Sequence, residues 1–217
     1  MSLLLILGCK SVQKSATGAT EPPICFGPSE AAIGFVYLHG MDSLSPSDQE
    51  ISNREKLRRI SEQLKIRVAV PRAQARCPTN SEMLCWGWSF SDSEAIRIRT
   101  EVLTAANACG IKAVNLIGFS NGGHGVNTLY KNCLIEGNPK LISIGASRTI
   151  SEKFLSDREL AKCGSLQILI GKKDQYNYDP ERLLLNAIKA RKGNVQWTEF
   201  DDAHEVPEQS LLEALNR

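Results

Sequence analysis

The stretch Gly118-Phe119-Ser120-Asn121-Gly122 limits the folds open to this chain more than any other. The apolar run Ala113-Val114-Asn115-Leu116-Ile117 leads into it, and Gly123-His124-Gly125 follows. An apolar run that meets a serine between two close glycines and leaves as a helix reads as a nucleophile elbow. Side chains beside the serine would collide with the backbone across so sharp a turn, so glycine is needed on both flanks. The turn pushes the serine hydroxyl out above the strand end, which makes Ser120 a candidate nucleophile. Gly and Ser are common residues, and the bare pattern arises by chance. Its surroundings decide what it means.

From Ala31 onward those surroundings alternate between strand and helix. Ile33-Gly34-Phe35-Val36-Tyr37-Leu38 is a nearly continuous apolar run ending at His39-Gly40. Ser52 and Glu55 have capping-box spacing, and Leu57, Ile60 and Leu64 follow on one helical face. Ile66 to Val70 reads as a strand stopped by Pro71, and residues 71–92 as a loop. Ser91 and Glu94 form a second capping pattern, and Ala95, Ile98, Val102, Ala105 and Cys109 keep helical spacing until Gly110. After the elbow strand the pattern predicts helices over 122–133, 150–160, 180–191 and 205–215. The strands expected among them are 141–144, 166–171 and 195–200. No repeat and no second domain is visible. The expectation is an α/β fold with a mostly parallel sheet and helices on both faces. Right-handed crossovers place every strand's C-terminal end on one edge, where ligands bind in open sheets. His39, Ser120, Asp174 and His204 all follow predicted strands and should converge there.

A chain of 217 residues, 42% of them hydrophobic, can bury one sizeable core. A net charge of +2 without a basic block excludes nucleic acid as the expected partner. No apolar run is long enough to cross a bilayer as a helix.

Serine hydroxyls attack poorly at neutral pH unless a base is in contact. The chain has three histidines. His39 precedes the elbow, and His124 lies one turn along the helix leaving it, with its ring expected to point away from the hydroxyl. His204 sits in the loop Asp201-Asp202-Ala203-His204-Glu205 after the last strand, free to swing over the sheet edge, and is the expected base. The base needs an acid to set its tautomer. Asp174 follows Ile168-Leu169-Ile170-Gly171 and completes the order Ser, Asp, His. Asp179, Asp201 and Asp202 are the competitors. The oxyanion of a tetrahedral intermediate needs two donors. The expected pair is the backbone N–H of Asn121 and that of Met41, after His39-Gly40.

With these residues in place the chain resembles the α/β-hydrolase superfamily over roughly residues 31–217. Leu38-His39-Gly40, Gly118-Phe119-Ser120-Asn121-Gly122-Gly123, Asp174 and His204 stand in that superfamily's order. Cys85-Trp86-Gly87-Trp88 is similar to the Cys-Trp-x-Trp stretch of the polyhydroxybutyrate-depolymerase and feruloyl-esterase-like group. The loop is also similar to that of the small carboxylesterase/phospholipase group. The resemblance implies that Trp86 and Trp88 wall a substrate pocket; core packing is the alternative. The connection 147–165 is too short for a large cap, so the site is expected to be open and to favour short-acyl, polymer-attached or bulky esters. The expected activity is ester hydrolysis through an acyl-enzyme, with a small-molecule or polymer-attached ester as substrate and no metal or cofactor. A thioesterase, amidase or peptidase using the same residues is the first alternative, and a non-catalytic surface-binding protein the second.

Residues 1–30 read as a separate leader and tether. Ser2-Leu3-Leu4-Leu5-Ile6-Leu7-Gly8-Cys9 resembles the tail of a bacterial lipoprotein signal, which implies export, lipidation of Cys9 and a membrane tether. The departures are a missing basic n-region and a short apolar run. A cytoplasmic protein with an incidental N-terminus stays open. Of seven cysteines, six remain without Cys9, an even number that suits an oxidising compartment. Cys77 and Cys85 bracket a short loop and are the pair expected first.

Overall fold

A computed structural model describes residues 21–87, 89, 91–146 and 160–216. Its main sheet has seven strands: β1 (Ile24–Phe26), β2 (Gly34–Leu38), β4 (Arg67–Val70), β7 (Val114–Phe119), β8 (Lys140–Ile144), β9 (Ser165–Gly171) and β10 (Val195–Phe200). Their order is β1-β4-β2-β7-β8-β9-β10, parallel throughout except for β1, which runs antiparallel to β4. The direction of sheet growth reverses between β2 and β7, so the ends of these two strands flank the crevice where such sheets take ligands.

The inner strands β2, β4, β7, β8 and β9 are largely apolar and buried because both faces are covered, whereas the edge strand β10 carries Gln196, Thr198 and Glu199. In β2, Val36 and Leu38 point to one core layer and Phe35 and Tyr37 to the other. The first layer is closed by α2 (Asp92–Ala108), α3 (Asn121–Lys131) and α4 (Tyr178–Ala190), through Ile98, Val102, Val126, Leu129, Leu185 and Ile188. The second is closed by α1 (Asp48–Leu64) and α5 (Glu208–Asn216), through Leu57, Ile60, Leu211 and Ala214.

Several expectations change. Helix α1 is capped by Ser47, whose hydroxyl accepts the Glu50 N–H at 3.3 Å. Ser47-x-x-Glu50 has the same spacing as Ser52-x-x-Glu55, which falls inside the helix, where Glu55 instead pairs with Arg58 and Arg59. The box at Ser91 and Glu94 is present as expected. The stretch 71–92 is not all loop: β5 (Arg76–Cys77) and β6 (Asn80–Leu84) join β3 (Asp42–Ser43) in a small second sheet. The expected helix over 150–160 lies outside the described residues, except that Leu160 opens one 3-10 turn to Lys162.

Residues 24–26, assigned to the tether from sequence, form the edge strand of the main sheet, so the domain starts no later than Ile24. Three residues are too few to show a period. A disulfide from Cys25 to Cys109, at the C-terminus of α2, holds them in place. A second disulfide joins Cys133 to Cys163. Cys77 and Cys85 are buried thiols instead of the expected first bridge. A register shift at Arg76/Cys77 sets Cys77 against Asn80 in the strand pair, and the Cys77 and Cys85 thiols lie in hydrogen-bond contact without a bond between the sulfurs. Burial pushes the Cys85 thiol up to about 12 and that of Cys77 upward as well, which keeps both protonated. Cys9 lies outside the described residues.

Candidate active site

Strand β7 ends at Phe119, and the chain turns at Ser120 straight into α3. Ser120 has φ 52° and ψ −116°, a conformation costly for any residue with a side chain. The surrounding backbone imposes it. Ser120 N–H donates to the Ile144 carbonyl at 2.8 Å, tying the turn to the end of β8. A Cβ on Gly118 would lie 2.3 Å from the Gly122 carbonyl oxygen, and one on Gly122 only 1.9 Å from that of Leu38. Both glycines are therefore required by contact, as the motif suggested.

The other expected residues sit around this turn. The Cβ position of Gly40 is 3.3 Å from the Ser120 Cβ, so the loop after β2 passes directly beside the serine. His204 follows β10, with its ring centroid 4.8 Å from that of Phe119. Its Nδ1 donates to Asp174 Oδ2 at 2.7 Å, and Asp174 is buried while His204 is part-exposed. A carboxylate can only accept, so the Nδ1 proton is set and Nε2 is left as the basic nitrogen. The competing acids are engaged elsewhere: Asp201 with Lys172, and Asp202 with the Ala203 N–H. Asp179 lies in the first turn of α4. His124 is buried in α3.

The His204 loop is braced by α1. Gln49 Nε2 donates to the His204 carbonyl at 3.1 Å, and Lys56 Nζ to the Val206 carbonyl at 2.8 Å.

His39 has a different task from His204. It is fully buried, and burial pushes its imidazole down to about 4, so it is neutral at physiological pH. Its Nε2 accepts the Ala73 N–H at 3.0 Å, which places the proton on Nδ1, and Nδ1 donates to the Gly40 carbonyl at 2.5 Å. In a trans peptide C=O and N–H point in opposite directions. Pinning the Gly40 carbonyl to the ring therefore turns the Met41 N–H to the other side of the peptide. Arg72 steadies the next residues by donating to the Ser43 and Leu44 carbonyls at 2.6 and 2.9 Å.

Asn121 carries more than its backbone N–H. Its Oδ1 accepts the Trp86 N–H at 2.7 Å and its Nδ2 donates to the Gly87 carbonyl at 2.9 Å, clamping that loop to the start of α3. Trp86 itself is wholly buried, with its ring 5.3 Å from that of His39. It is a core residue and does not wall a pocket, which corrects the reading from its short motif. Trp88 lies outside the described residues.

No protein-family model and no curated protein sequence matches the chain. Solved structures do. A carboxylesterase from Mesorhizobium loti is 15% identical with a TM-score of 0.64, covering 85% of this chain and 88% of its own. The Bacillus cereus carboxylesterase is 14% identical with a TM-score of 0.65, covering 92% and 93%. Zea mays acyl-protein thioesterase 2 is 18% identical with a TM-score of 0.63, covering 89% and 97%.

The chain has the α/β-hydrolase fold.

Within that fold two residues beside the Asp174–His204 pair carry no signal in the sequence. Gly145, at the end of β8, has φ 55°, and a Cβ there would lie 3.0 Å from His204 Nδ1. Asn177 lies 2.6 Å from both Asp174 oxygens through its Nδ2. Neither belongs to a recognisable motif, and only the crossing of chain segments shows what they touch.

A buried carboxyl also lies nearby. Glu181, in α4, accepts from Asn127 Nδ2 at 3.3 Å, and burial pushes it up to about 8 from an ordinary value of 4.5. Between those values the folded chain keeps a proton that the unfolded chain has lost, so stability falls as pH rises across the window. Glu181→Gln removes this exchange. Thermal melts recorded from pH 5 to 8 should decline less steeply for the variant than for the wild type.

Proposed function

We propose that this chain is a serine hydrolase that cleaves carboxylic esters through an acyl-enzyme. The observation that carries the reading is one sheet edge holding Ser120, strained at the end of the central strand β7, and a His204 whose Nδ1 is occupied by Asp174. His204 Nε2 takes the Ser120 proton as Oγ attacks the ester carbonyl. The N–H groups of Asn121 and Met41 hold the oxyanion. The intermediate collapses, and the alcohol leaves with the proton from His204. A water that gives a proton to the same nitrogen then attacks the acyl-enzyme and releases the acid and Ser120.

The short connection between β8 and β9 supports an open site, and with it esters of short acids or of bulky and polymer-attached alcohols. The two disulfides support an exported protein, with the tether through Cys9 as part of the same proposal. The test of the nucleophile is a fluorophosphonate probe, which esterifies an activated serine. It should label the wild type and leave Ser120→Ala unlabelled. Labelling that persists in the variant, or fails in the wild type, removes Ser120 from this role.

A further inference from the structure

Asn177 is the N-cap residue of α4. An asparagine there ordinarily turns its side-chain oxygen onto an N–H of its own first helical turn. Asn177 makes no such bond. Its side chain is buried, with Nδ2 2.6 Å from Asp174 Oδ1, 2.6 Å from Asp174 Oδ2 and 2.9 Å from His204 Nδ1. The nitrogen end must be the one that faces Asp174, because a carboxylate would repel the amide oxygen. Two donors, the imidazole N–H and the amide N–H, thus converge on Asp174 Oδ2.

We propose that Asn177 is a positioning residue for the Asp174–His204 pair, diverted from capping its helix to share the carboxylate with the imidazole. The inference rests on the serine-hydrolase reading above. Donation to both oxygens holds the carboxylate plane so that Oδ2 stays against Nδ1.

The test compares the wild type with Asn177→Leu, which has similar volume and no donor, and Asn177→Ser. The serine hydroxyl can cap α4 but ends too short to span the present contact. The rate of fluorophosphonate labelling and the steady-state hydrolysis of p-nitrophenyl acetate are measured at a pH on the rate plateau. In both variants the rate should fall about tenfold while KM stays within about twofold. Asn177→Ser should melt at or above the wild-type temperature, and it carries the test alone if Asn177→Leu does not fold. A rate that does not fall, or a loss that appears in KM and not in kcat, overturns the proposal. A wild type that the probe does not label would instead count against the hydrolase reading, which separates the two failures.

Discussion

His204→Ala is expected to lower kcat by about 10⁴-fold or more, with KM and the melting temperature close to those of the wild type. The size of the loss follows from the site. Under the proposed mechanism no other histidine can replace His204: His39 is buried and neutral with both ring nitrogens bonded to backbone, and His124 lies buried within α3. The small stability effect follows from exposure. The His204 side chain is 35% exposed, so its removal opens no sealed cavity, and Asp174 keeps its bonds from Asn177. The measurement is steady-state kinetics on p-nitrophenyl acetate beside a thermal melt. An unchanged kcat would sink the assignment of His204 as base; a lost fold would mean that the loop is structural.

Gly122→Ala should be among the most damaging small changes at the described residues. The added carbon would sit 1.9 Å from the Leu38 carbonyl oxygen, 2.4 Å from its carbon and 2.6 Å from the His39 carbonyl oxygen. These are backbone atoms at the end of a central strand, so no side chain can rotate away. Either α3 moves off β2 or β2 leaves its register with β7. Overpacking against fixed atoms costs on the order of 3 kcal/mol, and the shift would carry the Ser120 turn with it. The expected results are a melting temperature lower by several degrees or more and fluorophosphonate labelling reduced at least about a hundredfold. A variant that melts and labels like the wild type would show that the turn does not need its glycine.

The large elements were legible because they rest on local repeats. β2, β7 and β9 are largely apolar runs, and the spacing of Ile98, Val102 and Ala105 marks α2 without any knowledge of its neighbours. Short or edge elements were not legible. β1, β3 and β5 have two or three residues each, too few for a period to form, and a disulfide or a cross-strand partner holds them. The start of α1 differs from the expected one because two serines there have the same spacing to a glutamate. Only the Ser47 hydroxyl contact distinguishes them.

The site divides along the same line. The placement of Ser120, Asp174 and His204 at one sheet edge was legible because each follows a strand, and strands in a parallel sheet deliver their C-terminal ends to one edge. The glycines around Ser120 were legible because a sharp turn excludes Cβ atoms whatever surrounds it. The tertiary structure alone decided the partners of side chains that carry no pattern. It buried Trp86 against His39, turned Asn121 into a clamp and drew Asn177 away from its own helix end onto Asp174. Those contacts join segments far apart in sequence. Local spacing records where a chain turns and which face it buries, whereas which side chains meet depends on how the packed elements cross.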